Sequence, residues 1–236
     1  MKTLGNRMKE NYEDPYRIKL PKRMPVIIRL DGKAFHTLTR QCYTEKPFDN
    51  FFIGLMNRTA LALMKDISGA RVAYVQSDEI SILINNYANF DTEAWFDNNL
   101  QKMVSVSAGI ASSHFSLMGG RSVTFDARAF VLPKEEVNNY FIWRQQDWER
   151  NSLQMLARTL YSHRELHGKG KAELHEMCFQ KGQNWNDLPV SYKRGRCILS
   201  NNIIDNTPPI FKDDPDYIGV HLLENERDEV LVPSVV

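Results

Sequence analysis

Asp31 and Asp78 each sit at the end of an apolar, β-branched run: Pro25-Val26-Ile27-Ile28-Arg29-Leu30-Asp31-Gly32-Lys33 for the first, and Ala73-Tyr74-Val75-Gln76-Ser77-Asp78-Glu79-Ile80-Ser81-Ile82-Leu83-Ile84 for the second. The first run reads as a buried strand stopped by Asp31 and Gly32, and the second as two strands around a Gln-Ser-Asp-Glu turn. If the strands are neighbours, two hard carboxylates converge on one sheet edge. Such a pair suits two Mg2+ ions roughly 3.5 to 4 Å apart, which clamp the attacking and leaving oxygens of a phosphoryl transfer. Taken singly, each piece has an ordinary structural reading, because Asp-Gly is a common turn dipeptide and Ser-Asp-Glu is routine hairpin chemistry. It is their order along the chain that points to nucleotide chemistry.

The elements that must position these acids are legible in the apolar periodicity. From Phe48 through Ile67, Phe51, Phe52, Leu55, Met56, Leu61 and Leu63 recur at helical spacing, with Asp49 placed to cap the start and Gly69 to end the segment. Glu93 to Phe115 reads as a second helix and Val123 to Leu132 as a fourth strand. The order β-α-β-β-α-β predicts an α+β fold of the ferredoxin-like type, an antiparallel sheet covered by two helices, which is also the core of the polymerase palm. After Pro133 the character changes. Lys134 to His163 reads as one or two long helices, followed by a basic turn at His167-Gly168-Lys169-Gly170-Lys171, a short helix over Glu173 to Phe179, a strand or ribbon over Tyr192 to Leu199, and an irregular acidic end from Asn206. The expected division is a palm core over residues 1–133 and a helical annex over 134–236, folding as one unit.

With 236 residues, 42% of them hydrophobic and 25% charged, the chain has ordinary globular composition and enough length for a sizeable core. Cys42, Cys178 and Cys197 are too few and too scattered for a disulfide framework, which fits a reducing cytoplasm. Neither a signal-peptide pattern nor a bilayer-length apolar stretch is evident, so no membrane partner is expected. The net charge of +1 is unevenly spread. Residues 1–120 hold 15 basic and 12 acidic side chains, residues 121–200 hold 13 and 9, and residues 201–236 hold 2 and 8. A mildly basic body suits a polyanionic ligand without requiring one.

Several spaced motifs carry a resemblance: Arg29-Leu30-Asp31-Gly32-Lys33-Ala34-Phe35-His36, Lys46-Pro47-Phe48-Asp49, Gln76-Ser77-Asp78-Glu79, Phe125-Asp126-Ala127-Arg128, Trp143-Arg144-Gln145-Gln146-Asp147 and Tyr192-Lys193-Arg194-Gly195. In this order they resemble the tRNA-His guanylyltransferase superfamily, and within it the bacterial and archaeal guanylyltransferase-like branch of 3'-to-5' RNA polymerases. The resemblance implies a palm enzyme that adds nucleotides to the 5' end of tRNA. Two Mg2+ ions would be held by Asp31, Asp78 and the backbone carbonyl of Gly32, with Glu79 as an auxiliary carboxylate. The loop formed by Gly32, Lys33, Ala34, Phe35 and His36 would offer backbone amides to a triphosphate. Lys46 and Lys102 are candidate phosphate cations, and Asp49 and Ser77 complete the candidate nucleotide site. ATP, GTP and other nucleoside triphosphates are the implied small partners, and a homotetramer the implied assembly.

One departure shifts the expectation within the superfamily. Where guanosine-adding members read His-Ile-Asn-Asn-Leu after the Trp-Arg-Gln-x-Asp motif, this chain reads Glu149-Arg150-Asn151-Ser152-Leu153. The pattern is similar to that of the like-protein branch, whose members rebuild 5'-truncated tRNAs by Watson-Crick pairing. A monophosphorylated 5' end would first be adenylylated by ATP. Arg144, Arg150, Asn151, Lys169, Lys171, Lys193 and Arg194 are the candidate tRNA contacts. The alternatives are addition of a single guanosine to tRNA-His, a palm-type nucleotide cyclase and a non-catalytic RNA-binding module. The presence of both acids argues against the last. His163, His167, His175 and Cys178 superficially resemble a zinc set, but the intervening Gly-Lys-Gly-Lys turn reads better as a phosphate-contacting loop, and no zinc is expected.

Overall fold

The computed structural model describes residues 2–43, 45–89 and 91–222. Six strands, β1 (Val26–Gly32), β2 (Ala70–Gln76), β3 (Glu79–Ile84), β4 (Phe125–Val131), β5 (Arg196–Leu199) and β6 (Ile204–Asp205), form one sheet in the order β4-β1-β3-β2-β5-β6. Every pairing is antiparallel. The first four strands keep the ferredoxin-like order, and β5 and β6 widen the sheet beyond the expected palm.

Helices α1 (Leu4–Met8), α2 (Phe35–Cys42), α3 (Asn50–Asp66), α4 (Leu100–Gly119) and α5 (Lys134–Leu160) are followed by the shorter α6 (His163–Leu166), α7 (Lys171–Gln180) and α8 (Val190–Arg194). Strand alternation divides the core. Val26, Ile28 and Leu30 of β1 pack with Phe52, Leu55, Leu63, Met103 and Phe115 of α3 and α4. Ile27 instead joins Val72, Tyr74 and Leu83 beneath Val137, Tyr140 and Phe141 of α5. A third cluster ties Leu153, Leu156 and Ala157 of α5 to Leu174 and Cys178 of α7 and to Trp185. The three cysteines are free.

Helix boundaries follow caps more closely than periodicity. Asp49 caps α3 as expected, accepting the Phe52 N–H at 2.9 Å, and Gly69 follows it at φ 79°. The helix expected from Glu93 begins only at Leu100. Phe96, Asp97 and Asn98 all lie at positive φ, a conformation no helix tolerates, and Asn99 caps the true start by accepting the Lys102 N–H. The region Tyr192 to Leu199 is not a continuous ribbon: α8 ends at Arg194 and β5 begins at Arg196, with Gly195 between them at φ 77°. A Cβ there would lie 2.7 Å from the Tyr74 ring, so glycine lets the chain turn against β2. Nor is the chain after Asn206 wholly irregular, because Gln145 donates to Pro209 O and accepts the Phe211 N–H, pinning Phe211 into the α5-side core. The rest of the expected acidic end, residues 223–236, lies outside the described residues.

Candidate active site

On the α5-facing side of the sheet, strand register aligns residues in rows across β3, β1 and β4. At the end of β1 nearest α2, Asp31 stands opposite Glu79 on one side and Asp126 on the other. The next row is Ser81, Arg29 and Arg128, and the one behind it Leu83, Ile27 and Phe130. Over the five residues from Ile27 to Asp31, roughly 13 Å, the face grades from apolar through basic to acidic. Like charges directly opposite each other oppose folding. Accordingly burial, then Glu79 and Asp126, raise the pKa of the Asp31 carboxyl above the ordinary aspartate value. Asp126, within a motif but given no role by the sequence, is thus part of the acid row, and its place at the head of β4 was the available signal.

Asp78 reaches the same place from the β2–β3 turn. Ser77, the first of the two central turn residues, has φ 44°, an arrangement of two-residue hairpins that usually calls for glycine. The Asp78 carbonyl accepts the Gly32 N–H at 3.1 Å, so the two acid-bearing segments are joined by a direct bond. Burial, and then Asp31, push the Asp78 carboxyl up to about 6. Two carboxylates each raised by burial and by neighbouring acids are hard, under-neutralised oxygen donors, and this donor chemistry fits a divalent cation such as Mg2+. Among the described residues no group of three or more His, Cys, Asp or Glu side chains is arranged to hold a metal. The remaining ligands of any cation here would come from backbone carbonyls, such as that of Gly32, and from water.

Glu79 is drawn away from such a role. Its Oε1 accepts from Arg144 Nε at 2.7 Å and Gln76 Nε2 at 3.1 Å, and its Oε2 from Arg144 Nη2 at 2.7 Å. Arg144 also reaches Asp147 Oδ2 at 3.1 Å. The expected tRNA contact at Arg144 is therefore corrected: only 7% exposed, the side chain points inward and fastens α5 to Glu79 beside the β2–β3 turn. Trp143, by contrast, is exposed and lies against the Arg144 guanidinium.

The loop after β1 departs in part from its expected role. The Lys33 N–H donates to Thr124 O at 2.9 Å, so with Gly32 already bonded to Asp78 neither amide is free for a triphosphate. Ala34, at φ 58°, turns the chain into α2 and leaves the amides of Phe35 and His36 in its first turn, where no intrahelical acceptor exists. The Phe35 side chain is a core residue packed among Phe52, Phe115 and Phe125. A Cβ on Gly32 would lie 2.5 Å from its ring, which explains the glycine. A cavity of about 530 Å³ is walled by Thr39 and Tyr43 at the far end of α2, by Lys46, Phe48 and Asp49 before α3, by Ser77 of the β2–β3 turn, and by Trp148 and Tyr192. Lys102 is not near it. Ser112 and Ser116 of α4 bond Phe125 N–H and Val123 N–H beside the acid row, and Lys102 lies ten residues before Ser112, roughly 15 Å back along the helix.

A family model described as tRNAHis guanylyltransferase matches residues 5–133. The chain belongs to the tRNA-His guanylyltransferase family. It is 31% identical to the tRNA(His) guanylyltransferase of Schizosaccharomyces pombe, covering 72% of this chain and 71% of the relative, and 29% identical to the probable tRNA(His) guanylyltransferase of Drosophila melanogaster, covering 76% and 68%. Among solved structures, a bacterial tRNA(His) guanylyltransferase-like protein in complex with ATP superimposes with a TM-score of 0.89 at 45% identity, covering 93% of this chain and 99% of that one. A corresponding GTP complex gives 0.79 at 43% identity. The fold is the palm-like one of this family, and the chain is a nucleotidyltransferase.

In this family member the other candidate contacts lie on and beyond α5. Arg150 and Asn151 both bond Asp147, which also holds Arg144. Lys169 pairs with Glu173 at 3.0 Å, and Lys193 donates to Asn186 O. Glu149, half-buried, has a carboxyl raised by burial and partly offset by Lys171 and Arg194. His163 and His167 face each other at 6.5 Å between ring centroids.

Proposed function

We propose that this family member adds nucleotides in the 3'-to-5' direction to the 5' end of 5'-truncated tRNA, choosing each by pairing with the opposite strand. A monophosphorylated 5' end is first adenylylated by ATP, with loss of pyrophosphate; the 3'-hydroxyl of the incoming nucleotide then attacks the 5' phosphorus and AMP leaves. A bound pair of Mg2+ ions would neutralise charge on the attacking and leaving oxygens. The chain's own residues supply the rest. Asp31, Asp78 and the Gly32 carbonyl hold the cations. Phe35 and His36 amides and Lys46 meet the polyphosphate, Ser77 and Asp49 border the nucleotide, and Glu79 with Arg144 keeps the turn in place. Positioning and charge neutralisation suffice, so no nucleophilic side chain is invoked.

The observation that carries repair, in preference to a single guanosine addition, is Glu149-Arg150-Asn151-Ser152 in place of the histidine-containing segment. The 45% identity to a bacterial guanylyltransferase-like protein supports the same branch. Arg150, Asn151, Lys169, Lys171, Lys193 and Arg194 are the proposed tRNA contacts. Residues 1–133 form the proposed catalytic core. Leu4, Met8, Tyr12 and Tyr16 present an exposed apolar stripe that no part of the described chain covers, which supports homotetramer assembly. No helix among the described residues is long and apolar enough to cross a membrane, and we place the enzyme in the cytoplasm with its tRNA substrate.

The test is a set of truncated tRNAs differing only in the base opposite the missing 5' nucleotide, each offered the four nucleoside triphosphates in turn. The complementary nucleotide should be added on the order of 100-fold faster than the others, because a mismatch displaces the attacking hydroxyl. Guanosine addition irrespective of the opposing base would establish the histidine-type activity instead.

A further inference from the structure

Arg196, at the head of β5, is among the largest fully buried side chains of the protein, at 1% exposure. Its position is forced. Gly195 turns the chain against Tyr74, whose hydroxyl donates to Arg194 O at 2.8 Å, and register then sets Arg196 opposite Val75, on the α3 side of the sheet. There Nε donates to Asn57 Oδ1 at 3.1 Å, while Nη2 is buried with no hydrogen-bond partner. Among the described residues no carboxylate pairs with the guanidinium, and burial lowers its pKa to about 10. A buried cation with an idle donor costs stability unless something meets it.

Arg196 forms part of the wall of the 530 Å³ cavity together with Lys46, Arg158 and Ser77. Of the two acids on the same wall, Asp49 has both oxygens engaged and Glu45 one. Asp49 accepts the N–H groups of Phe52 and Glu45, and Glu45 accepts that of Asn50. Lys46, whose Nζ also donates to Thr39 O at 3.2 Å, Arg158 and Arg196 line a space bordered by the β2–β3 turn, and aromatic rings close its other side, with Phe48 and Tyr192 at 4.5 Å and Trp148 beside them. A phosphate group, with three or more acceptor oxygens against the two of a carboxylate, answers a planar guanidinium, an ammonium and a hydroxyl together, and it leaves the aromatic wall for a base or ribose.

We propose that Arg196 is a phosphate-recognition residue of this cavity, its Nη2 donating to a phosphate oxygen of either a nucleoside polyphosphate or an RNA 5' end. Such a contact does not read the base, so it strengthens binding of every nucleotide alike. This deepens the proposed function and rests on its placement of nucleotides at the cavity.

Isothermal titration of the full chain with inorganic tripolyphosphate, ATP, adenosine, and a tRNA acceptor-stem hairpin carrying a 5'-phosphate or a 5'-hydroxyl tests the proposal. Arg196→Met should weaken tripolyphosphate and ATP by about 10- to 100-fold and adenosine hardly at all, with Arg196→Lys intermediate. If the loss instead falls only on the phosphorylated hairpin, relative to its hydroxyl form, the phosphate is that of the RNA. Unchanged affinity of both variants for every phosphate-bearing probe, or an equal loss for ATP and adenosine, overturns the proposal. Should Arg196→Met fail to fold, Arg196→Lys decides on the same criteria. Failure of the wild type to bind any nucleotide would bring down the proposed function itself, a different outcome from binding that ignores Arg196.

Discussion

The two faces of one strand differ in kind. Val26, Ile28 and Leu30 of β1 point to α3 and α4 and are wholly buried among apolar neighbours, as any palm-covering face requires. Ile27, Arg29 and Asp31, interleaved with them, point toward α5 and pass from apolar to basic to acidic toward the end of the strand. The first face stabilises the fold, since each fully buried side chain of this size contributes about 1.5 to 3 kcal/mol. The second trades part of that stability for a row of three opposed acids, Glu79, Asp31 and Asp126. What makes the trade tolerable is a residue from another element. Arg144 on α5 takes both oxygens of Glu79, leaving Asp31 and Asp78 as the under-neutralised pair.

The sharpest way to break this contrast is to remove that arginine. Arg144→Met leaves Glu79 charged and buried, with the Gln76 amide and the Arg29 guanidinium at 4.0 Å in place of a bidentate partner, and should cost about 3 kcal/mol of stability by urea denaturation. Adding Glu79→Gln should recover a large part of the loss, whereas Leu30→Ala on the opposite face should gain nothing from it. If the double variant is no more stable than the single, Arg144 acts through packing and the charge argument fails.

A smaller effect comes from Asp78. Its carboxyl is raised to about 6, so between the ordinary aspartate value and pH 6 the folded chain binds protons that the unfolded chain has released. Stability contributed at this site is therefore greatest near pH 4 and is lost as pH rises through 6, by about 2 to 3 kcal/mol in the absence of divalent cations. Asp78→Asn should remove that slope: more stable than wild type at pH 7.5 in EDTA and indistinguishable at pH 4. Parallel stability curves for the two proteins would show that Asp78 is not under electrostatic strain.

Much of the first face could be read from the chain alone. Alternation and β-branched residues mark β1 to β3, and Asp49 caps α3 where a helix start was expected. The second face was only half legible, because its chemistry depends on partners far apart in sequence. Arg144 lies 65 residues from Glu79, and nothing local distinguishes an arginine that clamps a buried carboxylate from one that meets RNA. Lys102 was misplaced for a related reason. A helix of 20 residues carries its two ends about 30 Å apart, and the sequence did not say which end of α4 faces the acids. Arg196 adjoins the Tyr192–Gly195 motif, but only the register of β5 on β2 turns it into the cavity wall.

The most direct test of the central claim, that the acidic end of the α5-facing side carries the chemistry, is nucleotide addition to a 5'-truncated tRNA by Asp31→Asn and Asp78→Asn at saturating Mg2+, measured beside their melting temperatures. Each variant should lose on the order of 100-fold or more in single-turnover rate. Each should melt at or above the wild-type temperature, because a repelling charge has been removed. Near-wild-type addition by both folded variants would contradict the account.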